Sequence, residues 1–136
     1  MRIDTKPARI IVTVLSVLLA LMFVGVGIPK LLGTPDVVAG FAKYGYPGWF
    51  HLLIGGTEVV AAALLLVPSL AWLGAIAIVV IMAGATYTHA ILATGEGANA
   101  LFTMLLLGVA AFIAYARWAQ AHARATSVGG SAASVR

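Results

Sequence analysis

Four long apolar stretches dominate this chain, at about Ile10 to Ile28, Leu52 to Val67, Leu70 to Leu92 and Ala100 to Trp118. A helix needs roughly 20 apolar residues to cross about 30 Å of bilayer hydrocarbon. Stretches of this length predict an all-α fold, an integral membrane four-helix bundle. Composition agrees: 62% of the 136 residues are hydrophobic and 9% are charged, where soluble domains carry about 25% charged residues. Pro68-Ser69 leaves almost no loop between the second and third spans, so these should form a tight antiparallel helical hairpin. The connection from Pro29 to Phe50 is longer and rich in Gly, Pro and aromatic residues, and Ala93 to Asn99 is a polar turn.

The net charge of +4 could suggest nucleic-acid binding, but the basic residues lie mainly at the chain ends. Arg2, Lys6 and Arg9 precede the first span, and Arg117, Arg124 and Arg136 follow or end the last, against Lys30 and Lys43 in the first connection. The positive-inside rule then places both termini of a multi-pass membrane protein in the cytoplasm, with no nucleic-acid partner expected. The first span is too long for a signal-peptide core and has no small-x-small cleavage site after it, so it reads as a retained helix. With no cysteine in the chain, disulfides, thiolate metal sites and dithiol relays are excluded. The expected organisation is an N-terminal segment over 1–9, a membrane domain over 10–118 and a polar tail over 119–136. The tail is expected to be disordered after about Arg124, with His122 solvated.

Helix association in lipid relies on small residues. Gly25 and Gly27, Gly55 and Gly56, Ala61 to Ala63, Gly74, Ala83 to Ala85, Gly108, Ala110 and Ala111 supply them, while Gly25-Val-Gly27-Ile-Pro29 is placed to distort the end of the first helix.

Against this background Glu58 stands out: an acid inside an apolar span, with no cation beside it in sequence. A carboxylate near the middle of a membrane helix costs on the order of 3 kcal/mol on insertion scales, and it marks a partner or a task. Helix direction brings it company. Spans one and three run outward and span two inward, so Lys30, Glu58 and His89 all fall in the outer half of the membrane. His51, Gly55 and Glu58 share a stripe at i, i+4 and i+7, and Gly55 leaves space there for a ligand or a close backbone. Tyr87 neighbours the stripe that carries His89, and the first connection contributes Phe41, Tyr44, Tyr46 and Trp49.

Plainer roles suit the same residues. Lys30 can snorkel to the interface, Tyr44, Tyr46 and Trp49 can form an aromatic belt, and His51 and His89 can be satisfied structural groups. Glu96 and Asn99 occupy a turn and call for no special account. If the set is functional, three chemistries fit it. A carboxylate with a histidine relay suits a quinone or proton-coupled redox site; an intramembrane acid suits a transporter; and a Glu–Lys or Glu–His clasp suits a structural role. Haem ligation by His51 and His89 lacks a supporting pattern.

Gly27-x-x-Lys30-Leu-x-Gly33, Phe41-x-x-x-Gly45-x-Pro47, Glu58 followed by Leu65-Leu-x-Pro68, and Met82-x-x-Ala85-x-x-x-His89 together resemble the DoxX-like membrane family, from about Val24 to Leu107. The resemblance implies a four-helix membrane bundle. It also implies Lys30, Glu58 and His89 as the characteristic polar residues, in a family that includes quinone-reducing oxidoreductase subunits; the broader superfamily includes non-enzymatic receptor-assembly chaperones. The expected function is that of a quinone-linked or redox-associated subunit of a bacterial inner membrane, with Glu58, His89 and Lys30 as its polar cluster. His51, Tyr44, Phe41, Trp49 and Tyr87 are the expected ligand-binding residues. Quinone is the candidate cofactor, no metal is expected, and the partners are the bilayer, other membrane or redox subunits and a second copy of the chain. The alternatives are an accessory subunit or assembly factor of a larger membrane complex and, third, a proton-coupled transporter.

Overall fold

A computed structural model describes residues 5–93 and 95–133, with side chains described as far as 123. The described residues form helices: α1 (Lys6–Leu32), α2 (Pro35–Lys43), α3 (Phe50–Leu65), α4 (Ala71–Tyr87) continued by a π-helical turn (Thr88–Leu92), and α5 (Gly97–Ala133). Among the described residues three helical stretches are long and apolar enough to cross a membrane, Lys6–Leu32, Ala71–Leu92 and Gly97–Ala123, while Phe50–Leu65 is apolar but shorter. At about 1.5 Å per residue α3 rises about 24 Å, short of a full hydrocarbon crossing. The architecture is thus three long apolar helices and one short one, a helical membrane bundle.

Local chemistry accounts for the boundaries. α1 passes through Pro29 and ends at Gly33, whose φ of 61° is the left-handed conformation that glycine adopts at least cost. The expected distortion at Pro29 therefore does not end the helix. In the first connection the sequence pattern left α2 unforeseen. Thr34 precedes Pro35 at the first helical position and Asp36 lies in the first turn, a favourable helix start. α5 also outruns expectation. Its backbone stays helical past Trp118 because Ala119 to Ala125 is dominated by alanine with Gln and Arg, all strong helix formers even though the apolar run has ended. The expected disorder falls on this stretch, helical to Ala133. His122 is exposed, its ring packed on Trp118 at 4.3 Å. Arg2, Arg136 and the side chain of Arg124, which entered the orientation argument, lie outside the described residues.

Packing runs α1 against α3, α3 against α4 and α4 against α5, with α1 and α5 touching least among these neighbours. Phe23, Leu65, Ile78 and Ile113 are fully buried in the common core. Glycines set the two closest approaches. A Cβ on Gly74 would stand 2.5 Å from the Ala61 carbonyl, so α3 and α4 meet backbone to backbone in the hairpin. A Cβ on Gly55 would stand 2.8 Å from the Gly27 carbonyl, so α1 and α3 do the same. Near the chain termini Arg117 joins α5 to α1, donating to the Thr13 hydroxyl at 3.1 Å and the Ser16 hydroxyl at 3.4 Å. At the opposite end, where the α1–α3 connection and the α4–α5 turn lie, the helices enclose a cavity.

Candidate functional site

The stripe on α3 is longer than its three expected members. His51, Gly55, Glu58, Ala61, Ala62 and Leu65 are all buried, at a spacing that keeps them on one face. On α1 the facing residues are Gly27 and Lys30. Because neither Gly27 nor Gly55 carries a side chain, the two backbones close, and Lys30 crosses to α3. Its Nζ donates to both carboxylate oxygens of Glu58, at 2.9 Å to Oε1 and 2.7 Å to Oε2. Glu58 is 2% exposed and Lys30 17%. A third donation, 3.2 Å to the Val26 carbonyl, completes the ammonium's set. His51 secures the same corner from the other side. Its Nδ1–H donates to the Lys30 backbone carbonyl at 2.7 Å, a second bond to an oxygen that also accepts from the Gly33 amide at 3.2 Å at the end of α1.

His89 does not join this pair. It sits in the π-helical turn, and its Nδ1 lies 2.7 Å from Glu96 Oε2. A carboxylate only accepts, so the ring proton on this side belongs to Nδ1. Glu96 proves to be the centre of a second cluster. Lys43 Nζ donates to Oε1 at 2.8 Å, the Tyr44 hydroxyl lies 2.7 Å from both oxygens, and Asn99 Nδ2 donates to Oε2 at 3.3 Å. The donor from Lys43 does most to pull the Glu96 carboxyl down to about 2, helped by Tyr44, His89 and Asn99. Glu96 in turn pushes the Lys43 and Tyr44 groups up, chiefly through the hydrogen bond each makes to it. The cluster ties α2 to both sides of the α4–α5 turn.

Between the two clusters lies a cavity of about 530 Å³. Lys30, Glu58, Tyr44, His89, Tyr46, Thr88 and Thr103 contribute its polar groups, and the rest of its wall is largely aliphatic and aromatic, including Phe23, Phe41 and Phe50. Val26, Val80 and Phe102 line it and are also exposed on the outside of the bundle, so it is open at the side. Phe41, Tyr46 and Phe50 form one aromatic group at its end, with Tyr46 and Phe50 stacked at 4.7 Å.

Residues 14–132 match the model of the DoxX-like family. The chain belongs to the DoxX-like family. No curated protein and no solved structure matches it.

For this DoxX-like protein the expected site residues separate into groups. Lys30 and Glu58 meet directly. Tyr44, Phe41 and His89 line the same cavity, with His89 bound to Glu96 and not to Glu58. His51 lies behind the ion pair and outside the cavity wall. Trp49 and Tyr87 are more than half exposed and do not line it, because both project from the surface of the bundle. Sequence reasoning passed over Glu96 and Thr88, and it named Tyr46 in the first connection without counting it among the ligand-binding residues. By the same helix directions that group Lys30 with His89, Lys43 and Tyr44 fall level with the turn carrying Glu96, the one acid besides Asp36 in the α1–α3 and α4–α5 connections.

Proposed function

We propose that this DoxX-like protein is a quinone-linked membrane subunit that holds an amphipathic, lipid-soluble ring in its cavity. The observation that carries the reading is the Lys30–Glu58 pair set into the wall of an apolar chamber open toward lipid. Ligand pockets are typically about 300–1,000 Å³, largely apolar, with a few placed polar groups. This cavity fits that description at about 530 Å³. Its opening at the side of the bundle suits a ligand that arrives through the bilayer. Glu58 and His89 provide hydrogen-bonding and proton-exchanging groups at separate places on the wall, as a molecule with polar groups across a ring requires. With no cysteine in the chain, electrons would be exchanged with a redox group on a partner subunit. Orientation with both termini in the cytoplasm, in a bacterial inner membrane, would put the cavity in the outer leaflet.

Gly84 supplies a direct test. It lines the cavity, and a Cβ added there meets nothing within 4 Å. Gly84→Leu should fold and fill part of the chamber. Calorimetric titration of the detergent-solubilised protein with a decyl-substituted benzoquinone and its quinol should show binding that Gly84→Leu weakens by about tenfold or more. Absence of binding by the unsubstituted protein, or binding indifferent to Gly84→Leu, would sink the reading.

A further inference from the structure

The hydrogen-bond donors on the polar side chains of the cavity wall are already used inside the protein. The Lys30 ammonium has three N–H bonds and three acceptors, the two Glu58 oxygens and the Val26 carbonyl. The Tyr44 hydroxyl donates to Glu96. The Thr88 hydroxyl donates to the Gly84 carbonyl at 3.0 Å, which leaves the Tyr46 hydroxyl as donor in its 2.6 Å bond to the Thr88 oxygen. The Thr103 hydroxyl donates to the Ala100 carbonyl at 3.0 Å. His89 spends its Nδ1–H on Glu96.

What remains is a set of acceptors. A His89 ring that carries its single proton on Nδ1 has a bare Nε2, which has no hydrogen-bond partner among the described residues. Each Glu58 oxygen accepts one bond from Lys30 and has capacity for another. The Tyr46 oxygen also keeps lone pairs. The formal charges are matched locally, Lys30 with Glu58 and Lys43 with Glu96, so the wall does not call for a cation.

We infer that the cavity selects neutral amphiphiles whose polar head donates hydrogen bonds, and so takes the hydroxyl-bearing quinol in preference to the oxidised quinone. This rests on the proposed function. A quinone carbonyl would set an acceptor against Glu58 or His89 Nε2, and two acceptors cannot satisfy each other in a dry site. A quinol hydroxyl supplies the missing donor to either. The selectivity lies in Glu96 as much as in the groups that touch the ligand. By holding the proton on Nδ1, Glu96 fixes the tautomer in which Nε2 accepts, which makes it a positioning residue for His89.

The test compares three ligands of one shape on the full chain in detergent, under argon: a decyl-benzoquinol, the corresponding quinone, and the quinol's dimethyl ether. The quinol should bind about tenfold or more tighter than either of the others, since each leaves buried acceptors unmatched. His89→Phe, which removes the Nε2 acceptor, should lower quinol affinity toward that of the quinone and change quinone affinity little. Quinone binding equal to or tighter than quinol, or an ether that matches the quinol, overturns the inference and leaves the proposed function standing. Quinol affinity unchanged in His89→Phe overturns the part given to Nε2. If none of the three ligands binds, both readings fall together.

Discussion

Gly55 of α3 lies directly beneath Lys30 of α1: a Cβ at Gly55 would stand 2.7 Å from the Lys30 Cβ. The absent side chain is what lets the lysine reach over α3 to Glu58. Packing and ion pairing are therefore one feature at this crossing.

Gly55→Ala should accordingly be harmful. Its methyl would press on the Lys30 Cβ and, at 2.8 Å, on the backbone carbonyl of Gly27, which cannot turn aside. Overpacking of this kind costs about 1–3 kcal/mol, and the helices must part at the ion pair. Gly84→Ala is the control: it meets open space, and replacing a helical glycine should stabilise by about 0.4–1 kcal/mol. Thermal unfolding in detergent should move in opposite directions for the two.

Removing one member of the Lys30–Glu58 pair should be worse than removing both. Lys30→Met leaves the Glu58 carboxylate buried without its cation, and breaking a buried pair in this way costs about 3–5 kcal/mol. Lys30→Met combined with Glu58→Leu eliminates the orphaned charge and should recover most of that loss. A double-mutant cycle by chemical denaturation measures it; a double mutant no more stable than Lys30→Met would contradict this account.

The Glu96 cluster should give the connection a pH dependence. The carboxyl is held near 2 in the folded protein, below its ordinary 4.5. A depressed value contributes stability that is fully present above the ordinary value and is lost as pH falls through the folded one. Hydrogen exchange at the amides of 41–46 should therefore accelerate as pH drops from about 4.5 toward 2, beyond the intrinsic pH effect. Glu96→Gln should remove that extra acceleration and leave exchange faster at neutral pH. On the alkaline side Lys43 and Tyr44 have raised values, so their share persists at lower pH and is lost as pH climbs through them.

His51→Ala should loosen the end of α1. The Lys30 carbonyl would lose the shorter of two bonds, 2.7 Å from His51 against 3.2 Å from the Gly33 amide, and one such hydrogen bond contributes about 0.5–1.5 kcal/mol net. If His51 were itself a ligand group, His51→Ala would reduce quinol affinity without reducing stability. The opposite pattern is expected, lower stability with affinity nearly intact at temperatures where the protein is folded.

Much of the site was legible from the residues alone, and the parts that were not share a cause. Glu58 was conspicuous because a charge in an apolar run is costly wherever the helix packs. The buried stripe from His51 to Leu65 follows from helical periodicity. Depth along the bundle follows from helix direction, and it correctly set Lys30 level with Glu58. The same argument set His89 at that depth, and its pairing with Glu58 fails for a reason depth does not contain. Glu96, seven residues on, is folded back by the turn at Gly95, φ 85°, into reach of Nδ1.

By itself the sequence determined the membrane class, the number and rough limits of the apolar helices, and which polar residues share one end of the bundle. These are one-dimensional properties, set by insertion cost and by the 3.6-residue repeat. Only the tertiary structure decided the partners: Lys30 with Glu58, His89 with Glu96, His51 with the end of α1. Partner choice depends on how each helix is rotated about its axis and how closely two axes approach. Gly27 and Gly55 set that for α1 and α3, and the turn at Gly95 sets it for His89. The tertiary structure likewise left the cavity with acceptors and no free side-chain donor, a balance that exists only once every hydroxyl and ammonium has found its mate.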